Sequence, residues 1–217
     1  MTSIFLAKPS KKIKQKILAL RATLFPHLHD GHYWDRLKVA GFTTIPRTMP
    51  LLMGIMDDMA GMPVGMVYLE LWSRVYDESF VNLAKQRELA FHSGLTGQRA
   101  DTTWRQRIRK LAELGFIEIA AGASGELSHA VILNPYLVIR EAYKVKGSGI
   151  QTTKYNALIE RMTEIDAKDM DLPDPWKMFP PPAAALALPV MPASAAPSAT
   201  APAAGNPTPP AHLTPPV

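Results

Sequence analysis

The fold turns on "RELAFHSGL" (Arg87–Leu95) and, after the turn Thr96–Ala100, "DTTWRQRIRKLAELGFIEI" (Asp101–Ile119). In the second stretch Trp104, Ile108 and Leu111 fall at i, i+4 and i+7, so a helix from Asp101 to Leu114 turns all three inward. Gly115 is placed to end that helix in the left-handed conformation. Thr102, Thr103, Arg105, Gln106 and Arg109 then point away from the core. The first stretch reads as a helix from about Lys85 to Ser93, with Gly94–Ala100 as the turn between the two. A short β-like run, Ser79–Leu83, precedes it. Two β-prone runs follow, Phe116–Ala120 and Ala130–Leu133, joined by the Gly/Ser-rich hairpin tip "AGASGELSH" (Ala121–His129). The expected fold is mainly α with a small β-ribbon.

Helix, short strand, helix, turn, helix and two-stranded ribbon, in that order, resemble the winged helix-turn-helix. The residues are similar to those of GntR-type regulators and related winged-helix families, whose pattern is E-L-A-x-x-x-G-[LV], a turn, then T-[VW]-R-x-x-[IL]-x-x-L-x-x-x-G-[LF]-I. Glu88, Leu89, Ala90, Gly94 and Leu95 match the first half; Thr103, Trp104, Arg105, Ile108, Leu111, Gly115, Phe116 and Ile117 match the second. The likeness covers roughly residues 64–136, and the turn Thr96–Ala100 is longer than the family norm. It implies binding of double-stranded DNA, with the Asp101–Leu114 helix in the major groove.

The outward residues suit that task by their own chemistry. Arginine grips guanine O6 and N7 in a bidentate fork, glutamine does the same for adenine, and threonine reaches phosphate or a thymine methyl. Arg99, Lys110 and the ribbon residues Ser124, Ser128 and His129 are placed for backbone contacts, which position a protein without reading sequence. A solvated basic helix face, or a winged helix that binds protein, would carry similar residues. Downstream, "VILNPYLVI" (Val131–Ile139) is similar to the second wing strand of winged-helix replication proteins of bacterial plasmids. Asn134-Pro135 equally reads as a plain strand-to-helix turn.

Composition sets the boundaries around this unit. The 217 residues divide into an N-terminal helical segment (1–62), the winged helix-turn-helix region (63–147), a C-terminal amphipathic helix (148–171) and a tail (172–217). The tail holds 14 of the 20 prolines and, past Lys177, no charged residue, so it lacks the apolar bulk to offset ordering entropy and reads as disordered. In the first segment Ser10–Leu24 reads as a helix with Ile13, Ile17, Leu20 and Leu24 on one stripe, and a short helix is possible around Tyr33–Ala40. Thr48 looks like the N-cap of a methionine-rich helix, Met49–Ala60, that Gly61 ends. Val64–Asp77, apolar on several sides, predicts a helix in the middle of a domain. Helices near Tyr136–Lys144 and Thr153–Ile165 close the folded part; the stripe of the last one suits either pairing with its copy in a homodimer or packing on its own domain.

The net charge of +5 is concentrated in two places. Residues 1–24 carry six cations and no acid, and residues 85–110 carry seven cations against Glu88 and Asp101. Clusters of this kind suit a polyanionic partner. There is no cysteine, hence no disulfide and no thiolate metal site. Neither a signal peptide nor a membrane span is legible, and the expectation is a cytoplasmic protein with no membrane partner.

One cluster argues for an enzyme. "PHLHDGH" (Pro26–His32) puts three histidines and Asp30 in seven residues. His27-Leu28-His29 fits the His-hydrophobic-His signature of metal-dependent rolling-circle nickases and relaxases, and Tyr143…Lys146 supplies a Y-x-x-K. In those enzymes the histidines lie on a strand, whereas here a helix precedes them and Asp30-Gly31 is turn chemistry. Asp57-Asp58, adjacent on a helix, do not share a face and make no paired-carboxylate site. No phosphate-binding or nucleophile-elbow motif is present. The expectation is therefore a DNA-binding protein without catalytic residues, metal or cofactor, acting in transcription regulation or in replication or maintenance of a plasmid or similar element.

Overall fold

A computed structural model describes residues 11–29, 32, 33, 36, 41–75 and 78–178. It is mainly helical with one three-stranded antiparallel sheet. The elements are α1 (Lys11–Leu24), α2 (Met49–Ala60), α3 (Gly65–Ser73), β1 (Phe80–Asn82), α4 (Gln86–His92), α5 (Ala100–Glu113), β2 (Ile117–Gly122), β3 (Gly125–Ile132), α6 (Pro135–Tyr143) and α7 (Thr152–Glu164). A 3-10 turn (Asp169–Asp171) and a four-residue helix, α8 (Pro175–Met178), follow. The remainder of the proline-rich tail and the stretch proposed as a short helix around Tyr33–Ala40 lie almost wholly outside the described residues. No helix among the described residues is long and apolar enough to cross a membrane.

The core is built around α2. Met49, Leu52, Ile55 and Met56 are fully buried and share one cluster with Val67, Tyr68 and Leu71 of α3, Trp104, Ile108 and Leu111 of α5, Ile139 of α6 and Leu158 of α7. Residues from before position 62 and from after position 147, where the sequence suggested boundaries, contribute to this one cluster. Pro50 in the first turn and Gly61 in the left-handed conformation (φ 62°) delimit α2, as their residue types dictate. Thr48 occupies the position at the start of α2 that its residue type suggested. It stands at the N-cap, but its side chain makes no capping bond; its buried hydroxyl is hydrogen-bonded to the Tyr136 hydroxyl at 2.5 Å, tying α2 to α6.

The two adjacent aspartates of α2 serve different neighbours because consecutive helical positions face about 100° apart. Asp57 Oδ1 accepts from the Val64 and Gly65 amides at 2.6 and 2.7 Å, capping α3 in place of a side chain from α3 itself. Asp58 Oδ1 accepts from Lys154 Nζ of α7 at 2.8 Å. Gly65 is required at the first of these contacts, since a Cβ there would lie 2.8 Å from Met53 Cβ. Leu158 and Met162 of α7 are buried against the same core. The α7 stripe is thus used within the chain; transferring two such side chains to a dimer interface would first forfeit about 1.5–3 kcal/mol of burial for each.

In the sheet, β3 is central, with β1 and β2 antiparallel on either side. Val81 pairs with Ala130, and Ile119 pairs with Ala130 from the other edge. Asn134 caps α6 by accepting from the Tyr136 amide at 3.0 Å, with Pro135 in the first turn, so Asn134-Pro135 forms a strand-to-helix turn. Replacing Asp57 by alanine removes both acceptor bonds at the start of α3. The expected loss is about 1–2 kcal/mol of unfolding free energy in urea titration, and an unchanged midpoint would mean that α3 starts without this cap.

Candidate nucleic-acid interface

The α4–α5 pair is shaped by two glycines with the same task. Gly94 (φ 79°) and Gly115 (φ 80°) each end a helix in the left-handed conformation. In both cases the next amide reaches back to a carbonyl five residues earlier, Leu95 to Ala90 and Phe116 to Leu111, each at 3.0 Å. The apolar residue after each glycine then folds onto the core: Phe116 is fully buried and Leu95 packs against the cluster from a half-buried position. The Gly-Leu and Gly-Phe pairs of the sequence pattern are thus helix stops that reverse the chain.

α5 divides cleanly between two faces. Trp104, Ile108 and Leu111 are fully buried. Thr102, Arg105, Gln106 and Arg109 are exposed, Thr103, Arg107 and Lys110 half-buried, and Arg99 is exposed on the preceding turn. Arg105 is braced: its Nε donates to Gln86 Oε1 at 2.6 Å, and Gln86 Nε2 donates in turn to the Leu127 carbonyl of β3 at 3.2 Å. The two terminal nitrogens of this exposed guanidinium take no part in that bond. Arg105, Gln86, Lys85, Arg87, Asp101 and Ser124 line an open groove of about 520 Å³ between the starts of α4 and α5 and the ribbon tip.

Two further cations of α5 are paired with carboxylates. Arg109 donates to Glu126 near the ribbon tip at 3.1 Å, and Lys110 donates to Glu113 at 2.8 Å. Arg74, the C-cap residue of α3, donates to Glu70 at 2.6 Å and to Glu88 of α4 at 3.2 Å, and contacts His92 Nδ1 at 2.8 Å. Glu88 of the Glu-Leu-Ala motif therefore secures α4 to α3.

Two residues expected at the ribbon tip are elsewhere. β3 begins at Gly125, so Ser128 and His129 lie inside the strand. Ser128 shares the period-two side of Ala130 and Ile132, is 1% exposed, and spends its hydroxyl on the Gly125 carbonyl at 2.7 Å. His129 faces the other way and stacks on Phe80 of β1, ring centroids 5.4 Å apart. Only Ser124 of the three stands at the tip. Conversely, Gln86, Lys85 and Arg87 border the groove without having been singled out. The charge count around residues 85–110 pointed to the two cations, but nothing local marks Gln86 as a brace.

The histidine cluster forms a local turn in which the His29 amide donates to His32 Nδ1 at 3.1 Å; Asp30 and Gly31 lie outside the described residues. Tyr143 lies flat against Tyr155 of α7, centroids 3.7 Å apart and planes 3° from parallel. Among the described residues no three His, Asp or Glu side chains gather as a metal-binding group.

The Arg74 guanidinium hydrogen-bonded to Glu88, with Lys85 beside it, holds the Glu88 carboxyl below the usual glutamate range. A carboxyl lowered on folding stabilises the fold fully above its unfolded pKa and loses that contribution as pH falls through the folded value. Glu88→Gln should therefore be less stable than the parent at neutral pH, with the gap closing in acid. Urea midpoints measured for both proteins across that range test this, and a gap independent of pH would detach Glu88 from Arg74.

No protein-family model, no curated protein and no solved structure matches the chain.

Proposed function

We propose that the chain is a winged helix-turn-helix protein that binds double-stranded DNA sequence-specifically, in transcription regulation or in the replication or maintenance of a plasmid or similar element. In this reading α4 and α5 are the helix-turn-helix, β2 and β3 the wing, and α5 enters the major groove. The observation that carries it is the outer face of α5, where Arg105, held at Nε by Gln86, is exposed alongside Thr102, Gln106 and Arg109. An arginine preset in this way gives up less rotamer freedom when it meets a guanine edge. Arg99, Arg87 and Ser124 border the same face and suit phosphate contacts, which orient a protein without specifying sequence. The order of elements from α3 to β3 supports the same assignment.

The test is selection of random duplexes by the full chain, followed by titration of the enriched site. Arg105→Ala should weaken the enriched site by about 1–3 kcal/mol, roughly 5- to 150-fold, and relax the preference at one base pair. Gln86→Ala should blur the preference at that same base pair with a smaller loss of affinity, because the fork remains but is no longer aimed. An enriched motif that survives Arg105→Ala with Gln106→Ala unchanged would remove α5 as the reading helix. Retention without any motif would reduce the activity to attraction for phosphate.

A further inference from the structure

Among the described residues, α1 is the one long helix whose apolar stripe the core does not use. Ile17, Leu20 and Leu24, at i, i+3 and i+7, are 59%, 59% and 60% exposed, and Phe25 just beyond is 48% exposed. Ile13 continues the stripe at 52% exposure. Leu18 lies away from the stripe and is 40% exposed. By helical spacing Lys16 borders one edge of the stripe and Arg21 the other, with Lys11 and Lys12 on the polar side. The Arg21 guanidinium lies 3.9 Å over the Tyr33 ring. Residues 1–24 contain no acid at all.

Charge and shape together narrow what can cover such a helix. A second copy of α1 laid face to face would bring cationic rims together with no carboxylate on either helix to answer them. Duplex phosphates would satisfy the cations but leave the apolar stripe in water. An anionic lipid surface meets both needs at once: its headgroups answer the flanking cations on either side, while the aliphatic side chains enter the acyl boundary between them. The length also fits lying on a bilayer rather than spanning it, since 14 residues extend about 21 Å against a hydrocarbon thickness of about 30 Å.

We infer that α1 is a surface-binding amphipathic helix that places the chain on anionic membranes. The inference is independent of the duplex-binding reading, because it uses a different element and a different ligand.

The test uses full-length chain and pelleted vesicles, either phosphatidylcholine alone or equal parts phosphatidylcholine and phosphatidylglycerol. Sedimentation with the anionic vesicles and not with the neutral ones is expected. Changing Lys11, Lys12 and Lys16 to glutamine should weaken partitioning about 100-fold, roughly fivefold for each cation. Ile17→Asp with Leu20→Asp should bring it down to the level on neutral vesicles. Because both side chains are exposed, the thermal unfolding midpoint of that variant should match the parent, which separates lost binding from lost folding. Failure to pellet with anionic vesicles overturns the inference. So does an assembly in solution that the Ile17 and Leu20 changes dissociate, since a protein would then cover the stripe. Loss of duplex binding in that variant with vesicle binding intact would overturn it too, by assigning the helix to nucleic acid.

Discussion

Everything from α3 to α7 depends on the buried face of α2 and on the two carboxylates at its far end. Asp57 supplies the amide acceptors that the start of α3 lacks, and Asp58 holds Lys154 of α7. Thr48, at the opposite end, holds Tyr136 of α6. These polar ties lie at the margins of an apolar contact that supplies most of the stabilisation, and their directionality sets how the three helices are rotated against it. The part of the chain with the winged-helix pattern does not close its own core; α2 and α7 complete it from outside that segment.

Where one period ran unbroken, the sequence was a sound guide. The spacing of Trp104, Ile108 and Leu111 anticipated the buried face of α5, and Gly61, Gly94 and Gly115 marked helix ends that only a left-handed residue can make cheaply. The methionines of α2 are core, as their helical repeat suggested. What escaped was whatever depends on a distant partner. Thr48 has the right residue type for a cap, but a buried tyrosine 88 positions away claims its hydroxyl. The capping role of Asp57 was not legible because its partners are amides across a turn. Gln86 could not be marked as a brace, since both of its partners lie on other elements.

The ribbon illustrates the same limit within a few residues. Glycine and serine between two apolar runs suggested a long tip, yet the strand ladder extends through them, from Gly122 paired with Gly125 down to Ile117 paired with Ile132. Small residues were tolerated there because backbones and rings come close: a Cβ on Gly122 would lie 2.8 Å from His129 Nε2. That extension moves Ser128 into the interior and leaves Ser124 as the exposed hydroxyl next to Arg105.

The ion pairs across the outer face of α5 have a consequence for selectivity. Arg109 is matched by Glu126 and Lys110 by Glu113, each pair exposed enough to be weak. An arriving anion must therefore displace a carboxylate already in place, whereas Arg105 is held by a neutral amide and makes no ion pair among the described residues. Diffuse negative charge is then partly discounted at these positions, and a ligand that engages the Arg105 fork gains the full interaction. Anions are thereby graded along the face, resisted at Arg109 and Lys110 and met without exchange at Arg105.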